Sequence, residues 1–231
     1  MSTVIDFDLA RDEGVRNLNG WLHQHAGEAA PPAVRVLNPD GAHNIAVGAD
    51  APFTIDVMGH AGYYVGGMNK HARITVHGNA GTGAAENMMS GEVRIKGFAS
   101  NGAGASAHGG LLVIEGDASL RCGISLKGGD IVVGGSVGGF SAFMAQAGRL
   151  VICGDAGEAL GDSLYEAVIY VRGQVASLGA DARYEDLTEA DLAALADLLQ
   201  KAGFTHDPRS FRKVASARSL YHWNADANQE Y

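Results

Sequence analysis

From Phe53 to about Asp181 the chain repeats a short alternation of apolar and polar residues at a fixed interval of nineteen. The alternating pairs are Ile55/Val57, Ile74/Val76, Val93/Ile95, Leu112/Ile114, Ile131/Val133, Leu150/Ile152 and Ile169/Val171. A period of two in β-branched and aliphatic residues predicts a strand whose alternate side chains point one way. The residue between each pair is polar in the early copies (Asp56, Thr75, Arg94) and valine in later ones. The outer face of the later strands is therefore expected to be covered.

Each pair leads into a glycine: Gly59, Gly78, Gly97, Gly116, Gly135, Gly154 and Gly173. Three residues on, every copy is small (Gly62, Gly81, Ser100, Ser119, Gly138, Gly157, Ala176), and seven on it is small again (Gly66, Ala85, Gly104, Gly123, Ala142, Gly161, Ala180). A fourth small column lies thirteen on, from Ala72 to Ala167. Chance scatter does not hold four columns in phase, so this is an internal repeat. Nineteen residues are too few for a strand, a crossover helix and a return, and they carry no helical period. One unit is read as one turn of a coil. The predicted fold has an all-β core, a single-stranded right-handed parallel β-helix of about seven 19-residue coils. At about 4.8 Å per coil the rod is roughly 30–35 Å long. The glycines are expected to serve as structural coil turns, by adopting positive φ at corners and by letting neighbouring coils approach closely. A glycine-rich chain can also be disordered, but the regular aliphatic ladder and a hydrophobic content of 46% argue against that.

The flanks break the pattern and divide the chain into 1–52, 53–185 and 186–231. Residues 1–10 read as an edge strand or extended arm. Val15, Leu18 and Leu22, with Trp21 beside them, predict a helix from Arg11 to about His25, with Asp8 or Asp12 as its cap. This segment is the candidate N-terminal cap of the β-helix, because open coil edges invite aggregation. Residues 26–33 read as a linker, Val34–Leu37 as a strand and Asn38–Gly41 as a turn. After the last coil, Thr188-Glu-Ala-Asp191 is a capping box, Leu192, Leu195, Leu198 and Leu199 form an apolar stripe, and Gly203 ends the helix. Arg209, Arg212, Lys213 and Arg218 follow, interleaved with Phe211, Tyr221 and Trp223. This basic aromatic tail either packs back on the β-helix or docks a partner.

Net charge is −9, with no basic face, which speaks against nucleic acid. No apolar run is long enough to span a membrane, and the opening Met-Ser-Thr-Val-Ile-Asp lacks the features of a signal peptide. A cytoplasmic location is expected. Cys122 and Cys153 sit at different phases of the repeat and are expected to be reduced and buried.

Candidate chemistry is thin. His60, His71, His77 and His108 fall in four different columns, whereas stacked metal ligands share a column or adjoin one another. Gly134 to Gly139 resembles a phosphate cradle only in composition and lacks the lysine of a P-loop. Ser106-Ala-His108 and Asp162-Ser163 form no recognisable triad. The column holding Arg73, Glu92, Asp130 and Arg149 alternates in sign, which reads as stacking on a solvated face. No catalytic, cofactor-binding or metal residue is assigned to this chain.

The runs GNAGTGAAENMMSGEVRIKG (78–97), GGLLVIEGDASLRCGISLKGGDIVVGGSVG (109–138) and GDAGEALGDSLYEAVIYVRG (154–173) resemble the GXGXG β-helix at the C-terminal end of the glutamate synthase large subunit. The resemblance covers about residues 53–182. The same β-helix occurs in formylmethanofuran dehydrogenase and its formyltransferase/hydrolase relatives. The stand-alone length, VRNLNGWLH (15–23) and RSFRKVASARSLYHW (209–223) are more similar to the small GXGXG subunit of N-methylglutamate synthases. The resemblance implies a non-catalytic scaffold in a hetero-oligomer. One partner would be a class II glutamine amidotransferase-like subunit, the other a glutamate synthase-like subunit carrying FMN and an iron–sulfur cluster. The reaction implied is exchange of the amino group of glutamate with methylamine. The chain has neither an N-terminal nucleophilic cysteine nor a cysteine set for a cluster, so no family catalytic residue maps onto it. The β-helix subunit of a formyltransferase/hydrolase-type complex and an independent β-helix enzyme acting on a polymer are the alternatives. Arg209, Arg212, Lys213, Arg218, Tyr221 and Trp223 are the candidate partner-docking residues.

Overall fold

A computed structural model describes residues 4–11 and 14–218. It contains one 11-stranded sheet and two helices. β1 (Val4–Asp8), β2 (Ala33–Leu37), β3 (Thr54–Val57), β4 (Arg73–Val76), β5 (Glu92–Ile95), β6 (Leu111–Ile114), β7 (Lys127–Val133), β8 (Ala147–Ile152) and β9 (Val168–Val171) pair in chain order, each parallel to the last. From β3 onward the partners lie nineteen residues apart, as in Ile55↔Ile74 and Ile74↔Val93. The repeat is thus a β-solenoid of about seven coils.

Stacking begins before Phe53. Val34 pairs with Ile55 and Val36 with Val57, so one earlier turn carries slightly more residues than the rest. Its extra length puts it out of phase with the nineteen-residue register.

The interior is a prism of stacked columns. The two aliphatic residues of each strand form its large side. Facing them are small residues two past each anchor glycine, from Ala61 to Ala156, linked coil to coil by single parallel bridges. Large and small columns fill the space together, as a packed core requires.

Positive φ falls elsewhere than at the anchors. Of the seven anchor glycines only Gly59 has it (φ 153°). It falls five, seven and nine residues past the anchor in coil after coil: Tyr64, Gly66 and Met68 (61°, 64° and 53°), then Phe140, Ala142 and Met144 (56°, 56° and 52°). Asn44, Ala46 and Gly48 keep the same beat in the earlier turn. This alternation rotates successive amides in opposite directions. Tyr64 N–H donates forward to Thr82 O, Gly66 N–H backward to Ile45 O, and Met68 N–H forward to Glu86 O. The corners are therefore hydrogen-bonded along the rod as the strands are.

α1 (Val15–Gln24) closes the N-terminal end and buries Leu18 and Leu22 on the first coil. Gly14 occupies its N-cap position without a side-chain cap bond. Asp8, expected as a cap, instead accepts from Ala10 N–H and Asn38 Nδ2 and pairs with Arg11. Asp12 lies outside the described residues.

The C-terminal end closes differently. β10 (Ala182–Glu185) and β11 (Arg212–Ser216) turn antiparallel, with β11 inserted between β9 and β10. Between them runs α2 (Glu189–Ala202), followed by a 3-10 turn at Pro208–Ser210. α2 has the expected Thr188/Asp191 capping box and ends at Gly203 with φ 87°. Its residues Leu195, Leu198, Leu199 and Ala202 cover Val113, Val132, Val151 and Tyr170 on the outside of the sheet. The change from Asp56, Thr75 and Arg94 to valine marks where that cover begins. Arg94 stands at its edge and donates to Ala202 O (2.8 Å) and Lys201 O (3.1 Å), satisfying carbonyls at the helix end.

Candidate functional site

From Gly78 to Gly173 the anchor glycines line up along the rod because each sits against the backbone of the coil before it, while Gly59 sits against the Pro39 ring. A Cβ on Gly78 would lie 2.7 Å from the carbonyl carbon of Gly59, and one on Gly154 2.6 Å from that of Gly135. At Gly97, Gly135 and Gly173 the added atom would also overlap Asn79 Oδ1, Asp117 Oδ1 and Asp155 Oδ1.

Those oxygens belong to a ladder in the column one past the anchor. His60 Nδ1 accepts from Asn79 N–H (2.9 Å) and Asn79 Oδ1 from Phe98 N–H (3.1 Å). Asp117 Oδ1 accepts from Ser136 N–H (2.7 Å), Ser136 Oγ from Asp155 N–H (3.0 Å), and Asp155 Oδ1 from Gln174 N–H (2.7 Å). Each side chain folds over the glycine of the next coil to reach the amide beyond it. Sequence reading missed this ladder because the residue type changes from rung to rung and Phe98, which has no acceptor, interrupts it between Asn79 and Asp117. The charged column behaves as expected: Arg73 meets Glu92 at 3.4 Å, and Arg149 grips Asp130 with two bonds of 2.6 and 2.9 Å.

Of the candidate docking residues, Arg212, Lys213 and Arg218 are engaged within the chain. Arg212 lies over the Tyr184 ring and donates to Gly173 O. Arg218 pairs with Asp181, its Nε at 2.6 Å. Lys213 reaches Asp191 at 3.2 Å and Glu185 at 3.7 Å. Arg209 is exposed. Tyr221 and Trp223 lie outside the described residues. Through residue 218 the tail therefore packs back on the solenoid, with Phe211 and Val214 buried.

Asp191 is the hub of that closure. Its carboxylate accepts from Tyr170 Oη (2.7 Å), Thr188 Oγ1 (2.6 Å) and Thr188 N–H (2.9 Å) as well as Lys213. Burial works to raise its pKa, but the bonds from Thr188, Tyr170 and Lys213 outweigh burial and hold it well below the usual carboxylate range. Burial first, then the adjoining carboxylate, push the Tyr170 phenol up.

Cys122 lies in the solenoid core and Cys153 under α2. Both are free, and burial pushes their thiols up to about 12 and about 11. Among the described residues, no three of His, Cys, Asp and Glu are grouped to hold a metal ion. No described helix is long and apolar enough to cross a membrane.

No protein-family model matches the chain. One chain of the crystallised formyltransferase/hydrolase complex (FhcABCD) of Methylorubrum extorquens, solved with methylofuran, superposes with a TM-score of 0.65. The match covers 82% of this chain and 76% of that one at 23% identity, a likeness of fold. Protein GlxC of Rhizobium meliloti (strain 1021) is 59% identical over 218 residues, which is 94% of this chain and 96% of GlxC. With that identity over nearly the full length of both proteins, the chain belongs to the GlxC family.

Proposed function

We propose that this chain is the non-catalytic structural subunit of a glutamate-synthase-like complex, N-methylglutamate synthase, which converts glutamate and methylamine into N-methylglutamate and ammonia. The observation that carries the proposal is the filled prism. The inward columns from Ile55 to Ile169 are packed with apolar or small side chains, the buried Asn69 among them is bonded to the backbone of Ala72 and Ser90, and coil is bonded to coil along strands and corners alike. Such a body transmits separation and orientation and bends little. Its use is to hold an amidotransferase-like subunit and an FMN-binding synthase subunit at a fixed spacing. Membership of the GlxC family and the resemblance of the repeat to the glutamate synthase β-helix support that assignment.

In this reading FMN and the iron–sulfur cluster reside in the partner chains. The donor set here agrees with that division. Two thiols, one inside the prism and one beneath α2, do not assemble a cluster ligand set. A second reading, supported by the fold likeness to the Methylorubrum chain, is the equivalent β-helix subunit of a formyltransferase/hydrolase-type complex.

Affinity purification of the tagged full chain from cells expressing the neighbouring genes tests the proposal. Co-purification of amidotransferase-like and FMN-containing chains is expected. Recovery of formyltransferase chains would select the second reading. Turnover of a polymer by the isolated chain would refute both.

A further inference from the structure

The corner five to nine residues past each anchor carries side chains that the solenoid does not need. Tyr64 and Phe140 take the fifth position, Met68 and Met144 the ninth. All four have positive φ, which bulky side chains rarely adopt, and all four are exposed. The coils between them fill these columns with Gly83, Gly102 and Arg121, and with Asn87, Ser106 and Ser125. Two apolar knobs therefore stand four coils apart, about 19 Å along the rod. They flank the coil of Gly102 and Ser106 symmetrically.

The charges on this corner follow the same symmetry. Arg121, one coil beyond the centre, is exposed. One coil before the centre, the Tyr64 ring lies over Gly83, 2.6 Å from where a Cβ on that glycine would stand, and Glu86 Oε2 lies beside it at 2.8 Å. No ion pair joins Glu86 or Arg121 to another described residue. Glu158 lines the same depression as Arg121.

We propose that this corner is a homodimer interface, in which two copies of the chain lie antiparallel about a two-fold axis running along the coil of Gly102. That operation sets Tyr64 against the Phe140 of the second copy, Met68 against its Met144, and Glu86, at the edge of the Tyr64 ring, against its Arg121. A two-fold interface must be self-complementary, and this pattern is: aromatic meets aromatic, methionine meets methionine, and the unpaired base meets the unpaired acid. A parallel arrangement would leave Arg121 and Glu86 two coils apart. The inference is independent of the reaction the complex performs.

The test uses the full chain, with mass measured by light scattering after size exclusion. A dimer is expected at micromolar concentration. Arg121→Glu weakens it at least about ten-fold, since like charges then face each other, and adding Glu86→Arg to that variant restores it. Ser106→Cys, on the axis, cross-links into a covalent dimer under mild oxidation. Circular dichroism confirms that each variant is folded. A monomer at every concentration would overturn the proposal, as would a dimer indifferent to Arg121→Glu. Occupation of this corner by a different subunit, with no dimer, would also overturn it.

Discussion

Tyr170 Oη donates a 2.7 Å hydrogen bond to Asp191 Oδ1, joining the outer face of the last parallel strand to the first turn of α2, the helix that covers it. The bond turns a surface helix into part of the rod. Tyr170→Phe removes one bond to a buried carboxylate and is expected to cost about 1–2 kcal/mol. Asp191→Ala removes the N3 half of the capping box and leaves Lys213 without its nearer acid, at a cost of about 2–4 kcal/mol. Urea titration of each variant measures both. Equal stability of wild type and Asp191→Ala would contradict this account of the closure.

The same carboxylate sets an acid limit. Its folded pKa is depressed, so its contribution is complete above the unfolded value and is lost as pH falls toward the folded one. Wild-type stability is therefore expected to fall below about pH 4, and Asp191→Asn to flatten that slope. Urea midpoints across the acid range measure the difference.

The glycine columns give opposite predictions at different sites. Gly116→Val places a Cβ 2.9 Å from Gly97 O, and Gly135→Val collides with the Asp117 rung. Each is expected to cost about 3 kcal/mol or more, or roughly 6–12 °C in Tm for a chain of this size. Gly20, within α1, has nothing within 4 Å of an added Cβ. Gly20→Ala should stabilise by about 0.5–1 kcal/mol. Calorimetry of the three variants separates a packing requirement from a general preference for glycine.

Two truncations separate closure from docking. Ending the chain after Gly203 removes β11 and the buried Phe211 and Val214, and should lower Tm sharply. Ending it after Arg218 removes Tyr221 and Trp223 but keeps β11. Unchanged melting with weaker capture of partner chains is expected. Of the two roles expected of the basic tail, packing on the β-helix or docking a partner, the residues through 218 take the first, because β11 completes the sheet.

Both thiols should resist alkylation at mildly alkaline pH in the folded protein and react once guanidinium unfolds it, since burial holds them protonated. Labelling followed by mass spectrometry reads this directly.

What was legible in the sequence is what stacking repeats. Small residues every nineteen positions, the strand pairs, and the change from Thr75 to Val113 that announces a covered outer face all follow from coils lying on coils. The reason for the anchor glycines was only half legible. They stand against backbone and a folded-over side chain, while positive φ belongs to glycines seven and thirteen residues on, such as Gly66 and Gly91, and to Tyr64, Met68 and their equivalents, residue types that do not advertise it. β11 was hidden because its alternation lies among arginines and lysine, whose charges are answered by Asp181, Glu185 and Asp191 from other parts of the chain. The turn before Phe53 was hidden by its extra length, since a fixed period cannot reveal a coil of different size.

The central claim is that this chain contributes rigid spacing to a catalytic assembly. The most direct measurement is N-methylglutamate formation from glutamate and methylamine in a system reconstituted from separately purified subunits. The account predicts synthesis only when this chain is present, with the flavin of the synthase subunit still reducible when it is left out. Full synthesis without the chain, or synthesis by the chain alone, would contradict it.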